Sequence, residues 1–243
     1  MNSEIQFVDL AVFLPKEKTL VITDIHIGYE EELNKKGVLI PRTQFPFLMK
    51  RTERILNHVG SLDTIVIAGD LKHEFGTISE TEWRNTLRFL DLLAKHTKHI
   101  ILIKGNHDTI LGPIAKKRNV VIKDAHRLGS VLVLHGDSIP KKIEKGITTL
   151  IIGHDHPAIS VGEDVRTEKY KCFLVGKYKK YGLIVMPSLN PVTEGTDVSK
   201  EKLLSPFLRD VRNFSVYVVA DLPENGLARI FPFGKVKDHM HAA

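Results

Sequence analysis

Thr19-Leu20-Val21-Ile22-Thr23-Asp24-Ile25-His26 is the stretch from which the rest of the chain can be read. Its first half is aliphatic and β-branched with no charge, the pattern of a strand buried on both faces. Its second half switches abruptly to an Asp-x-His block. The same arrangement recurs four times. Thr64 to Ala68 runs into Gly69-Asp70, and Ile100 to Ile103 into Gly105-Asn106-His107-Asp108. Val131 to Leu134 runs into His135-Gly136-Asp137, and Leu150 to Ile152 into Gly153-His154-Asp155-His156. Ligands of α/β sheets gather at the carboxyl ends of strands. Five polar blocks at such ends predict one shared site.

Outward from these strands, the period changes. Pro41 to Val59 places Phe45, Leu48, Met49, Ile55, Leu56 and Val59 on one stripe, with Pro41 suited to a first helical turn. Ser79 to His96 places Trp83, Leu87, Leu90 and Leu93 on another, and Ser79 and Glu82 have capping-box spacing. From about Leu128 strand signals dominate, over Cys172 to Val175, Gly182 to Met186, Phe214 to Ala220 and Ala228 to Phe231. The order βαβα, then mostly β, predicts an α/β chain with a mixed sheet or a two-sheet sandwich flanked by helices. No repeat or long linker divides it, so residues 1–243 are expected to form a single domain.

The chain of 243 residues carries 35 Lys+Arg against 29 Asp+Glu, a net charge of +6. That excess mildly favours an anionic partner, a phosphorylated metabolite or nucleic acid. Basic clusters stand at Lys35-Lys36, Lys116-Lys117-Arg118, Lys141-Lys142 and Lys177 to Lys180, the last interleaved with Tyr178 and Tyr181. Separate solvated loops are the simpler reading of these than one nucleic-acid groove. The sole cysteine, Cys172, excludes an intrachain disulfide and a cysteine zinc cluster, and reads as a buried small hydrophobe. Met1 to Leu10 holds Glu4 and Asp9 and does not read as a signal peptide. No run of 18 apolar residues occurs. A cytoplasmic protein without a membrane partner is expected; the oligomeric state, homo-oligomer included, stays open.

The polar blocks suit metal chemistry. Asp24 and His26 are two apart, as are His154 and His156, and in an extended segment such residues point to one side. Asp70 offers two carboxylate oxygens and so can bridge two ions. Asn106 adds a carbonyl oxygen and His135 an imidazole nitrogen. Seven side chains, with Asp70 shared, give four contacts to each of two ions. Mixed His/Asp/Asn ligation suits Mn, Fe, Zn or Co better than Ca or Mg alone. Singly each block has a bland reading: Asp-x-His as capping or turn chemistry, Gly-Asp as a turn. His58, His96 and His99 read as solvent-facing, and His239 and His241 as a disordered terminus. His73, three residues past Asp70, is a candidate substrate contact.

The ordered set resembles the calcineurin-like metallophosphoesterases, whose pattern is Asp-x-His, Gly-Asp, Gly-Asn-His-Asp/Glu, a lone His, then Gly-His-x-His. The similarity covers about two-thirds of the chain. The stretches Asp24 to Glu30, Gly37 to Arg42 and Gly69 to Gly76 are similar to an archaeal branch related to SbcD-type recombination nucleases. The resemblance implies a four-layer αββα sandwich of two mixed sheets flanked by helices, with the site at its rim. It implies one metal held by Asp24, His26, Asp70 and His156, and another by Asp70, Asn106, His135 and His154. Two divalent ions are expected, Mn foremost, with Fe, Ni, Co or Zn as alternatives. His107 would be the catalytic histidine, with Asp108 orienting its imidazole or raising its pKa. Where many relatives carry a second Asp and an Arg, this chain has Lys72, His73 and Glu74. The implied activity is phosphodiester hydrolysis, on nucleotides or nucleic acid, by metal-activated water. A phosphomonoesterase or protein phosphatase is the alternative enzyme. A binding scaffold on the same fold, like the retromer subunit, is the alternative from another class, and it predicts erosion of a ligand set that is intact here.

Overall fold

The computed structural model describes residues 5–41, 43–74, 79–108, 112–163, 166–221 and 226–240. Arg42, Phe75, Gly76 and His241, which entered the reading above, lie outside the described residues.

The first sheet holds β1 (Gln6–Val8), β2 (Ala11–Leu14), β3 (Thr19–Ile22), β4 (Thr64–Ile67), β5 (His99–Ile103) and β6 (Val121–Lys123) in that spatial order. The β1–β2–β3 pairs are antiparallel, and β3 through β6 run parallel. β3, β4 and β5 therefore end on the same edge, which is what gathers the first three polar blocks.

The second sheet contains β7 (His126–Leu128), β8 (Val131–Val133), β9 (Thr149–Ile152), β10 (Pro157–Glu163), β11 (Arg166–Tyr178), β12 (Tyr181–Val185), β13 (Thr196–Asp197), β14 (Ser215–Ala220) and β15 (Arg229–Lys235). Its order is β13-β10-β11-β12-β9-β8-β7, with β14 pairing β11 and β15. β8, β9 and β12 are parallel and deliver His135 and Gly153 to one edge.

The central strands of this sheet are buried on both faces, and strict alternation sorts their residues. Ile151, Phe173, Ile184 and Val219 face the first sheet, whereas Leu150, Ile152, Cys172, Leu174, Leu183, Val185, Val216 and Val218 form a second core. That second core is closed by Val198, Phe207, Leu208, Val211 and Phe214 of an irregular segment and by Val236 of a short 3-10 helix, Val236–His239. The architecture is thus a mixed α/β fold of two sheets in face-to-face layers.

Four helices occur among the described residues: α1 (Tyr29–Lys35), α2 (Gln44–Val59), α3 (Glu80–Ala94) and α4 (Gly112–Arg118). α2 begins three residues later than the sequence suggests. The proline of its first turn is Pro46, not Pro41, and a missing N–H is harmless there because those donors have no intrahelical partner. α3 is capped as expected, with Ser79 accepting from the Glu82 N–H at 3.1 Å. The Glu82 carboxylate, however, accepts from the N–H groups of His73 and Glu74 at 3.0 and 3.1 Å, tying α3 to the loop after Asp70. His239 is ordered rather than frayed: its ring stacks on Phe233 and its Nε2 lies 2.6 Å from the Phe233 carbonyl oxygen. His58 and His99 are exposed as expected, and His96 is half-buried.

Candidate metal centre

The two parallel strand bundles end against each other. The loops after β3 and β4 zip together, with Asp24 N–H donating to Gly69 O and His26 N–H to Asp70 O. Across the gap, His154 N–H donates to Asp24 Oδ2 at 3.0 Å, and Thr23 Oγ donates to the same oxygen at 3.0 Å. Gly153 and Gly105 permit these approaches. A Cβ at Gly153 would overlap the side chains of Thr23 and Asp24, and one at Gly105 would overlap Asp70. This is the physical content of the Gly that opens each of those blocks.

Three-residue groups of potential ligands form at this edge: Asp24 with His26 and His156, Asp70 with His135 and His154, and, at the rim, His26 with His73 and His107. The first two bear on the expected pair of ions. In the first, His26 Nε2 and His156 Nε2 are 3.2 Å apart, and Asp24 Oδ1 is 3.4 Å from His156 Nε2. In the second, His154 Nδ1 and His135 Nε2 are 3.2 Å apart, and Asn106 Oδ1 lies 3.0 Å from His135 Nε2. The groups meet at Asp70, whose Oδ2 is 3.4 Å from His135 Nε2 and 3.7 Å from His26 Nε2.

Two parts of the sequence reading change here. Asp70 reaches both groups through one oxygen, not one oxygen for each, because its Oδ1 accepts the His107 N–H at 2.9 Å. Nor do the paired ligands converge by extended-strand alternation. Asp24 and His26 have φ 51 and 46, and His154 and His156 have φ 73 and 49; Asp70 has φ 49. Left-handed conformations of non-glycine residues cost about 1–3 kcal/mol each and concentrate at functional sites. They persist here because hydrogen bonds between loops hold them: Asp24 and His26 N–H on the Gly69 and Asp70 carbonyls, His154 N–H on Asp24, and Thr196 N–H on the His156 carbonyl.

The donor set fits divalent cations. Asp24 is fully buried, yet its Oδ1 has no hydrogen-bond partner among the described residues. It faces imidazole nitrogens instead. Burial alone would pull the His135 imidazolium down, but the Asp70 hydrogen bond and the Asp24 and Asp70 charges overcome it and raise its pKa to about 10. A proton on His135 thus occupies an electrostatic position that a cation would fill. Burial, then the neighbouring His156, hold His26 well below its ordinary value, leaving it neutral and able to donate a lone pair. His135 Nδ1 lies 3.0 Å from Ala68 O, which turns Nε2 inward.

His107 lies at the rim, its ring edge-on to His26 with centroids 4.8 Å apart. Its Nδ1 sits 2.6 Å from the His73 carbonyl oxygen, so it carries a proton there. His73 stacks on His107, leans on Tyr29 and contacts the Glu32 carboxylate through its Nε2, an arrangement that orients the two rings together. Asp108 is buried, and its carboxylate accepts from the N–H groups of Leu71 and Gly105, both at 3.1 Å. It braces the loops after β4 and β5, and burial and the Asp70 charge push its pKa up to about 7. Lys72 is fully buried, with its ammonium on Glu74 O. Asp155 does not join either ligand group; it anchors the irregular segment by accepting from Leu204 and Ser205 N–H.

A further set of residues was not singled out from the sequence. Ser188 Oγ donates to Asp24 O at 2.7 Å, and Asn190 Nδ2 donates to Ile25 O and His26 O at 3.0 and 3.3 Å. Behind them, Lys171 donates to the carbonyls of Ser188 and Asn190, its pKa lowered to about 7 by burial and by Arg51. The available signal was Pro187-Ser188-Leu189-Asn190-Pro191, a polar block between prolines directly after a strand. Beside His156 a cleft of about 460 Å³ opens between Tyr29, Ile40, Lys169 and Thr193.

A family model described as calcineurin-like phosphoesterase matches residues 17–220. Among solved structures, the nuclease MPE of Pseudomonas putida superposes with a TM-score of 0.65 at 17% identity, covering 93% of this chain and 92% of that one. Vps29 of Entamoeba histolytica, in a single-mutant form, gives a TM-score of 0.38 at 14% identity, over 89% and 98% of the two chains. A predicted phosphoesterase of Streptococcus pneumoniae gives 0.32 at 16% identity, over 88% and 97%. No curated protein matches the chain. No helix among the described residues is long and apolar enough to cross a membrane.

Proposed function

The chain belongs to the calcineurin-like phosphoesterase family, and from that premise we propose that it is a dinuclear-metal phosphodiesterase acting on nucleotide or nucleic-acid diesters. The observation that carries the reading is the meeting of two ligand groups at a single oxygen, Asp70 Oδ2. Asp24, His26 and His156 would hold one divalent ion and Asn106, His135 and His154 the other, with Asp70 common to both. Two such ions, Mn foremost, would neutralise phosphate oxygens and lower the pKa of an attacking water.

The protein's own groups do the rest. With its Nδ1–H held by His73 O, His107 in its imidazolium form would give the second proton, on Nε2, to the leaving oxygen and return to the neutral Nδ1–H tautomer. Glu32 and Tyr29 hold His73, and so His107, in place. The cleft beside His156 is large enough for a substituent on the phosphate, which favours a diester over a bare monoester. The net charge of +6 favours an anionic substrate, and the nuclease that shares this fold supports nucleic acid as one.

The test is a substrate panel with Mn, Ni, Co, Zn and Mg, comparing aryl diesters, aryl monoesters, cyclic nucleotides and single- and double-stranded DNA. A higher kcat/KM on bis-aryl phosphate than on aryl phosphate under the same metal is expected. The reverse ranking across metals would replace this reading with a phosphomonoesterase.

A further inference from the structure

Two basic clusters that are far apart in sequence, Lys141-Lys142 and Lys177 to Lys180, come together in the fold. A surface pocket of about 340 Å³ is lined by Ile139, Lys141, Tyr178, Lys179, Lys180 and Tyr181, among others, and no carboxylate lines it among the described residues. Among those residues Lys141, Lys179 and Lys180 form no ion pair. The nearby Glu144 is drawn away by Arg127, whose Nη1 donates to it at 2.8 Å. Unlike the separate solvated loops suggested by the sequence, this is one cationic surface with aromatic rings in it.

The turn is built at a cost. Tyr178 pairs with Tyr181, which leaves Lys179 and Lys180 as a two-residue hairpin turn between β11 and β12. Lys179 has φ 53, where glycine or asparagine would sit with less strain. The ammonium groups are not withdrawn onto acids. They rest 5.2 Å from the Tyr178 ring centroid and 5.4 Å from that of Tyr181. A lysine pair seated on tyrosine faces, with Lys179 strained, is unlike the Lys/Glu pairing of an ordinary solvated surface.

The position relative to the metal centre matters. β12 runs from Tyr181 at the turn to Val185, alongside β9, whose end carries Gly153 and His154. The pocket therefore lies at the opposite end of this sheet, roughly five residues or ~16 Å away. Residues 136–148 leave the ligand His135 and return to Thr149, passing the pocket with Ile139 and Lys141. A mononucleotide or aryl diester at the metals cannot reach it, but a longer chain of phosphates can.

We propose that this lysine–tyrosine pocket is a second binding site, for a single-stranded polynucleotide whose scissile diester lies at the metal centre. The proposal rests on the phosphodiesterase reading above. Lysines meet successive phosphates, and the tyrosine faces suit unpaired bases, which a duplex does not present.

The test uses the full metal-loaded chain and labelled oligo-dT. Anisotropy gives the affinity across a salt series, and bis-aryl phosphate hydrolysis reports the metal centre independently. Combining Lys141→Ala, Lys179→Ala and Lys180→Ala should weaken oligo-dT binding by about tenfold or more and flatten the log–log salt slope by about 2, at ~0.7 per phosphate contact. Bis-aryl phosphate turnover should be unchanged. Lys179→Gly should weaken binding while holding or raising the melting temperature, a split that a purely structural lysine would not produce. Unchanged affinity and slope in the triple variant, or no oligo-dT binding by the parent chain, overturns the proposal. Equal affinity for a duplex of the same length, lost equally in the variant, overturns its single-strand part. Absence of bis-aryl phosphate hydrolysis in the parent chain instead overturns the phosphodiesterase reading, and anisotropy still judges the pocket.

Discussion

The backbone N–H of His107 donates to Asp70 Oδ1 at 2.9 Å, while Asp70 Oδ2 faces His135 and His26. One carboxylate therefore fixes the loop of the candidate proton donor and also joins both ligand groups. In the proposed mechanism, metal loading and general-acid geometry would be mechanically coupled at this residue.

Asp70→Asn should accordingly lose affinity for both ions, not one, with turnover falling on the order of a hundredfold or more. Elemental analysis together with kcat on bis-aryl phosphate is the check. A variant that keeps two tightly bound ions and full turnover would show that Asp70 does not bridge.

His107→Ala should separate from the ligands. Its imidazole groups with His26 and His73 at the rim and not with Asp24 or Asp70. In the two-ion reading, metal content and melting temperature should therefore stay near those of the parent chain, and loss of an ion would make His107 a ligand. The rate should fall by about 10²–10⁴-fold on substrates with poor leaving groups, and by much less for nitrophenol, which departs without a proton. His156→Ala should lose metal along with rate. A His107→Ala defect equal on both leaving-group types would remove the proton-donor role.

The raised pKa of His135 gives a pH signature. In metal-free protein its folded value, about 10, lies above the unfolded value near 6.5. The stability it contributes is full below about pH 6.5 and is lost as pH rises toward 10. Metal affinity runs the opposite way, since a bound imidazole must be deprotonated and binding releases a proton. Calorimetric metal titrations at pH 7 in buffers of different ionisation enthalpy should report about one proton released from this site. His135→Gln should abolish both that release and the alkaline loss of metal-free stability. Proton-neutral binding in the parent chain would contradict the assignment.

Asn190→Ala removes two donors from the carbonyls of Ile25 and His26. It also removes the Oδ1 that accepts from Val192 and Thr193 N–H. Thermal and denaturant unfolding should show a loss of about 1–3 kcal/mol for the buried groups left unpaired. Because φ at Asp24 and His26 is held from behind by this residue, affinity for the ion at Asp24 should fall roughly 10–100-fold. Unchanged metal affinity would leave Asn190 a purely structural residue.

The sequence alone determined which strands are buried and which residue types stand at their ends. Val66, Ile101 and Ile151 are each flanked on both sides by aliphatic residues, and the switch to Asp24, Asp70, Asn106, His135 and His154 is abrupt. Local chemistry was legible for the same reason: the Ser79 cap of α3 depends on residues three apart. Only the tertiary structure decided the rest. The left-handed backbone at Asp24, His26, Asp70, His154 and His156 is imposed by hydrogen bonds from loops up to 130 residues away, not by local propensity. Asp70 engages through one oxygen because a backbone N–H from another loop takes the second. Ser188 and Asn190 lie more than 160 residues from the loop they support. Lys141 and Lys179 share a pocket only because β11 and β12 bring their turn against the 136–148 segment. Periodicity and spacing record which face a side chain takes along its own element. They carry no record of which distant element will satisfy a buried donor or acceptor, and at this site that long-range satisfaction sets the geometry.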